Sequence, residues 1–186
     1  EPHMALGPQQ RFRADRQDAV IAFGERRQSA VVQHVAHLPG VLNAEPFRDV
    51  PVRIRKANVE RRILLSGRPV DGELSQIIDT ELQAVALPEG GLAISSWLAQ
   101  ILDAKPGDEV EIDILEGARR TISLPVATLV EDYFGIRGMM DAPTLARLMQ
   151  EAPAVSSVYV KIDKADENAF FEAVKRTPIV SGLSLR

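Results

Sequence analysis

His34 and His37 stand at i, i+3 in a stretch with helical spacing. That spacing can present two imidazoles to a metal ion. No third ligand follows in an obvious place and the chain has no cysteine, so the pair reads as solvent-facing histidines. Ser95 and Ser96 could offer a nucleophilic hydroxyl, which needs a base and an oxyanion site beside it. The Gly-x-Ser-x-Gly elbow is absent, and serine ahead of an apolar helical run is a favoured N-cap. Glu109, Glu111, Asp113 and Glu116 could do acid–base work if one were buried. They alternate with Val110, Ile112 and Ile114, which turns them toward water. Gly90-Gly91 and Gly135-x-x-Gly138 lack the Gly-Lys-Ser/Thr of a phosphate loop and the dinucleotide fingerprint. They read as turns or hinges. No constellation calls for catalysis, a cofactor or a metal.

Two groups suit binding instead. Arg53, Arg55, Lys56, Arg61 and Arg62 crowd one predicted hairpin. Such a cluster fits phosphate, lipid headgroups or an acidic partner; an outward strand face whose charge protects a sheet edge is the favoured reading. Met139-Met140 lie beside the second glycine pair, where an exposed, adaptable thioether surface would bind a partner; core packing is the competing reading. The candidate partner-binding residues are therefore Arg53, Arg55, Arg61, Met139 and Met140.

The elements that must position these residues follow from periodicity. Leu92–Ile94 is a short apolar strand, and Ser95 or Ser96 caps a helix with Leu98, Ile101 and Leu102 on one face. Pro106-Gly107-Asp108 is a turn, and residues 109–114 alternate as a half-buried strand. Near the start, Ala19–Phe23 reads as a strand, Glu25–Leu38 as a helix ended by Pro39-Gly40, and Val41–Phe47 as a strand. Near the end the same grammar recurs. Val158, Val160 and Ile162 alternate, Asp163 or Asp166 caps a helix with Phe170, Ala173 and Val174 inside, and Ile179–Leu185 returns as a strand. Two such units predict a split βαβ lobe of ferredoxin-like type. Between them, Val50–Lys56 and Val59–Leu65 form the arginine hairpin, Leu74–Leu82 is open between loop and short helix, and Arg119–Leu124 is followed by Pro125–Val130. Asp141 caps a further helix with Pro143 in its first turn.

The expected fold is α+β: a ferredoxin-like lobe from residues 18–66 and 152–186, and a central mixed α/β lobe from residues 67–151. Glu1-Pro2-His3-Met4 reads as a cloning scar, and residues 5–17 as a polar tether. At 186 residues a chain buries roughly 70% of its unfolded surface, so a core forms without staples. Acidic residues number 26 against 22 basic ones, and aromatics make up 5%; neither balance suits nucleic acid, which needs clustered excess Lys/Arg or stacking platforms. No apolar run reaches the roughly 18–20 residues that cross a bilayer.

Gly91, Ser95, Leu98, Ala99 and Leu102, then Gly107, Asp108 and Val110, form a pattern that resembles the MacB-like periplasmic core domain of FtsX-like ABC transporter permeases. Leu38-Pro39-Gly40-Val41, Glu45-Pro46-Phe47-Arg48, Val52-Arg53-Ile54-Arg55, Phe134-Gly135, Met139-Met140, Leu145 and Leu148 extend the resemblance in order over residues 18–186. It implies a non-catalytic domain inserted between two membrane helices on the extracytoplasmic side of a bacterial membrane. It also implies a cytoplasmic ATP-binding subunit, and an envelope partner protein, a lipid or lipoprotein, or a small exported substrate; a homodimeric parent is compatible. An alternative rests on Lys105-Pro106-Gly107-Asp108: a soluble cytoplasmic substrate-adaptor like the amino-terminal domain of an AAA ATPase. That reading predicts a double-psi barrel in that region and no closing βαβ at Tyr159–Leu185.

Overall fold

The computed structural model describes residues 18–28, 30–70, 72, 77–78, 84–85, 87–131 and 135–185. The expected scar and tether, and most of Leu74–Leu82, lie outside them. Strand β1 (Ala19–Gln28) leads to helix α1 (Val31–Ala36) and strand β2 (Val41–Lys56). At the other end, β10 (Ala154–Ile162) leads through a 3-10 turn to α4 (Glu167–Lys175) and β11 (Val180–Leu185). The order is β11-β1-β10-β2, with every neighbour antiparallel. Each βαβ unit therefore straddles one strand of the other, as the sequence led us to expect. Val35, Phe170 and Val174 from the helices meet Ala19, Ile21, Phe23, Val158, Val160 and Ile162 in one core. Each large side chain so buried contributes roughly 1.5–3 kcal/mol. At Gly40 (φ 78°) an added Cβ would lie 2.9 Å from Asp166 Cβ, so only glycine lets the α1–β2 corner approach the start of α4.

Helix α1 is much shorter than the predicted Glu25–Leu38. β1 instead continues through Gln28, because Arg27 and Gln28 still pair with Val155 and Ala154 after an irregularity past Ala22. Sheet pairing overrides a local sequence that also suits a helix.

The middle of the chain forms a closed barrel. Its strands are the second half of β2, β3 (Val59–Arg68), β6 (Leu92–Ser95), β7 (Glu109–Ile114), β8 (Thr121–Val130) and β9 (Gly138–Asp141). The order β2-β3-β9-β6-β8-β7 closes through β7 and β2. A two-residue pairing of β4 (Ile77–Ile78) with β5 (Ala84–Val85) stands apart. The barrel repeats one motif twice: hairpin β2–β3 then β6 and helix α2 (Ser96–Leu102), hairpin β7–β8 then β9 and helix α3 (Ala142–Met149). The repeats interlock. β3 runs parallel to β9 of the second repeat, and β8 runs parallel to β6 of the first. Val50, Val52, Ile54, Ile63, Leu65, Leu92, Ile94, Ile112 and Met140 fill the inside, and Leu98, Leu102, Leu145 and Met149 pack from the helices. The expected boundary at residue 66 is therefore corrected. The arginine hairpin packs with the barrel, and the division falls inside β2.

The two helix caps are reciprocal. Ser95 Oγ accepts from the N–H of Leu98 at 3.4 Å and of Arg137 at 3.1 Å. Asp141 accepts from the N–H of Thr144 at 2.8 Å and of Gly90 at 3.0 Å. Each cap thus fixes its own helix and also the chain entering the neighbouring central strand. A barrel and a closing β10–α4–β11 unit coexist, and the adaptor reading has no place for the second.

Asp141 is 2% exposed. Burial alone would raise its carboxyl. The Thr144 hydroxyl and the N–H groups of Gly90 and Thr144 outweigh that and hold it below the usual carboxylate value. A depressed carboxyl stabilises the fold above its unfolded-state pKa and loses that contribution as pH falls through the folded one. Asp141→Ala, which orphans two N–H groups, is expected to cost about 1–3 kcal/mol in denaturant unfolding at neutral pH. The gap to the parent protein should narrow on acidification below about pH 4.

Candidate partner-binding surface

β2, β3, β7 and β8 present one outward polar face. The registers set Arg62, Arg53, Asp113 and Thr121 in one row, and Glu60, Arg55, Glu111 and Ser123 in the next. Alternation puts Val52, Ile54, Ile112 and Ile114 inside and this charged set outside. Arg55 Nη2 lies 2.9 Å from Glu111 and its Nη1 3.3 Å from Asp113. The Glu111 hydrogen bond, then the Asp113 charge, holds its guanidinium above the ordinary arginine value. Lys56 bonds the Asp103 carbonyl and pairs with Asp108 at 3.0 Å. That hydrogen bond, with the Lys105 N–H, holds Asp108 below the usual carboxylate value.

The expected arginines therefore divide. Arg55 is committed to cross-strand carboxylates. Arg53 touches Glu60 at 3.8 Å and remains 42% exposed. Arg61 is exposed and donates to the Glu60 carbonyl at 2.7 Å. Arg62, also exposed, stands directly opposite Arg53, a like-charge pair that costs a sheet stability. Arg61 and Arg62 meet no carboxylate within 4 Å among the described residues. Among the described residues the positive charge left without a carboxylate therefore sits on Arg61 and Arg62, near the turn at Ala57-Asn58.

Met139 and Met140 do not form an exposed surface. They lie on β9, 5% and 0% exposed, and the expectation of a methionine contact loop is corrected. Met140 fills the barrel, while Met139 packs outside with Leu87, Ala93 and Val130. A short strand buried on both faces shows no alternation, so its sequence reads as loose chain. His34 and His37 are exposed, and among the described residues no group of three His, Asp or Glu could hold a metal. Ser96 Oγ bonds Glu131 at 2.9 Å; Ser95 is the cap.

Sequence reasoning passed over two buried arginines where the lobes meet. Arg48 is 3% exposed and Arg68 7%. Arg48 Nη2 lies 3.2 Å from Glu116 and 2.9 Å from Glu151. Arg68 Nη2 donates to the Tyr159 hydroxyl at 3.4 Å, and its guanidinium stands 5.7 Å from the ring centre. Tyr159 stacks on Phe47 at 4.2 Å. The available signal was parity. Arg48 shares the inward side of β2 with Val50, Val52 and Ile54.

The geometry also fixes the poles. Ala19 pairs with Val160 and Leu185, and Val41 with Ile162. The start of β1 and the end of β11 therefore share the pole where β2 begins. The arginine turn lies at the far end of β2, whose 16 residues extend at most about 50 Å.

No family model matches the chain, and no curated protein sequence matches it. Solved structures do. The extracellular domain of the noncanonic ABC-type transporter YknZ from Gram-positive bacteria superposes with a TM-score of 0.61 at 12% identity, covering 91% of this chain and 99% of that one. The periplasmic region of MacB from Actinobacillus actinomycetemcomitans gives a TM-score of 0.64 at 11% identity, covering 94% of this chain and 91% of that one. Among the described residues no helix is long and apolar enough to cross a membrane. The chain has the α+β fold of these extracytoplasmic ABC-transporter domains, the MacB-like fold that its own sequence pattern resembles.

Proposed function

We propose that the chain is the non-catalytic extracytoplasmic domain of an FtsX-like, MacB-like ABC permease. A cytoplasmic ATP-binding subunit would drive the parent's membrane helices, and this domain would carry their motion to an envelope partner or an exported substrate. The observation that carries the reading is a fold shared with two such domains over more than nine-tenths of the chain. The placement of β1 and β11 supports it, because membrane helices joined there would sit side by side.

The same geometry ranks the candidate ligands of the arginine hairpin. A bilayer beside the start of β1 would lie about one β2 length from Arg61 and Arg62, well beyond a Debye length of about 8 Å. An acidic protein surface fits that distance better than lipid headgroups. The adaptor reading is not favoured, because its fold has no place for the closing βαβ unit.

Two experiments test the proposal. Translation of the native reading frame should show an apolar run of roughly 20 residues on each side of this chain; polar flanks, or a phosphate loop on the same polypeptide, would sink the transporter reading. Arg61→Glu/Arg62→Glu should leave the melting curve close to that of the parent protein, since exposed charges contribute at most about 1 kcal/mol each. It should weaken capture of the envelope partner, most at low ionic strength. Unaltered capture would remove the hairpin from the contact.

A further inference from the structure

We propose that the outward face of β2 and β7 docks on the same face of a second copy of this chain. Arg53 of β2 stands beside Asp113 of β7, and two residues along Arg55 stands beside Glu111. Charge therefore changes sign along the line where β2 meets β7, in both rows. A two-fold interface sets a surface patch against its own copy. Two axes lying in the plane of the interface can do this here. An axis across the strands lays β2 on β2 and β7 on β7, and so brings like charge onto like. An axis along the β2–β7 line lays β2 on β7 at the same height. Arg53 then faces the second copy's Asp113, and Arg55 its Glu111, each contact occurring twice. Sheet faces pack about 10 Å apart, a gap that an arginine and a carboxylate span together.

Three further observations suit the axis along the strands. Arg53 reaches a carboxylate only at 3.8 Å among the described residues, and it stands opposite Arg62. A carboxylate from a second copy offsets that like-charge pair. The next outward row toward the pole where β2 begins is apolar. Leu64, 49% exposed, pairs with Pro51, and the Leu115 N–H donates to the Pro51 carbonyl at 3.0 Å. The same axis lays Pro51 on the second copy's Leu115, an apolar contact beside the charged ones. Finally, β2 runs from the pole where the chain enters and leaves to the arginine turn. An axis along it keeps the poles of both copies on one side, as two domains anchored in one membrane require; this last point rests on the permease reading. The outside of a closed barrel is convex, so the contact is confined to β2 and β7. Arg61 and Arg62, on β3, stay open to the envelope partner.

The test is self-association of this chain by sedimentation equilibrium. At low ionic strength a monomer–dimer equilibrium is expected, and it should weaken as salt screens the facing charges. Arg53→Glu and Asp113→Arg are each expected to weaken association by about tenfold or more, because like charges then face across the interface. An equimolar mixture of the two variants should recover the association of the parent chain, since each reversed residue then faces its opposite. Arg55→Glu and Glu111→Arg make the same comparison should Asp113→Arg not fold. A chain that stays monomeric at low salt up to millimolar concentration overturns the proposal. So does a dimer that neither reversal weakens, or a loss that the mixture does not restore. Polar native flanks would sink the transporter reading and leave a charge-dependent dimer standing; a monomer with apolar flanks would do the reverse.

Discussion

Everything in this molecule hangs on β2 being one unbroken strand that serves two cores. A strand sends alternate side chains to opposite faces. The even-numbered positions of β2 therefore run from the helix-covered side of one lobe straight into the inside of the barrel. Ala44 and Pro46 lie against Val160 and Val158; Val50, Val52 and Ile54 lie in the barrel core. A slip of one residue would evert both sets at once. Position 48 is where the pairing of β2 passes from β10 to β3. There Arg48 is buried and holds Glu116 and Glu151 through one nitrogen, which offsets part of the cost of burying its charge.

The barrel rests on a second constraint, the exchange of caps between Ser95 and Asp141. Strands of four residues such as β6 and β9 make few ladder hydrogen bonds. Each is instead held at its far end by the helix cap of the other. The interlocked repeats depend on this, since β3 and β8 find their parallel neighbours only if β6 and β9 lie side by side. Gly67 serves the same packing, because a Cβ there would lie 2.7 Å from Leu145 Cδ2. A side chain at that point would force the Leu145 side chain to move, while the backbone of α3 at Ala142 lies 3.4 Å away.

Local pattern carried much of this and failed at identifiable places. The alternation of Val110, Ile112 and Ile114 gave β7 its bounds and its inward face, and Ser95 and Asp141 marked two helix starts. The split βαβ lobe was legible because both its units repeat one grammar. Closure of the barrel was not legible, for it depends on pairings such as Arg53 with Asp113 that no local window contains. Pro46, Pro51 and Pro125 look like breaks in a sequence, yet all three sit inside strands. The arginine surface was half legible. Composition shows a basic cluster, but only the registers reveal that Arg55 is neutralised by its neighbours while Arg62 opposes Arg53.

The distance between the poles has a mechanical meaning. With the chain entering and leaving at one end and the arginine turn at the other, β2 acts as a lever arm of up to about 50 Å. A tilt of about 10° at the base would carry the tip through roughly 9 Å, the scale of ordinary domain rotations. Small rearrangements where the chain is anchored would thus arrive at the far end as displacements larger than a side chain.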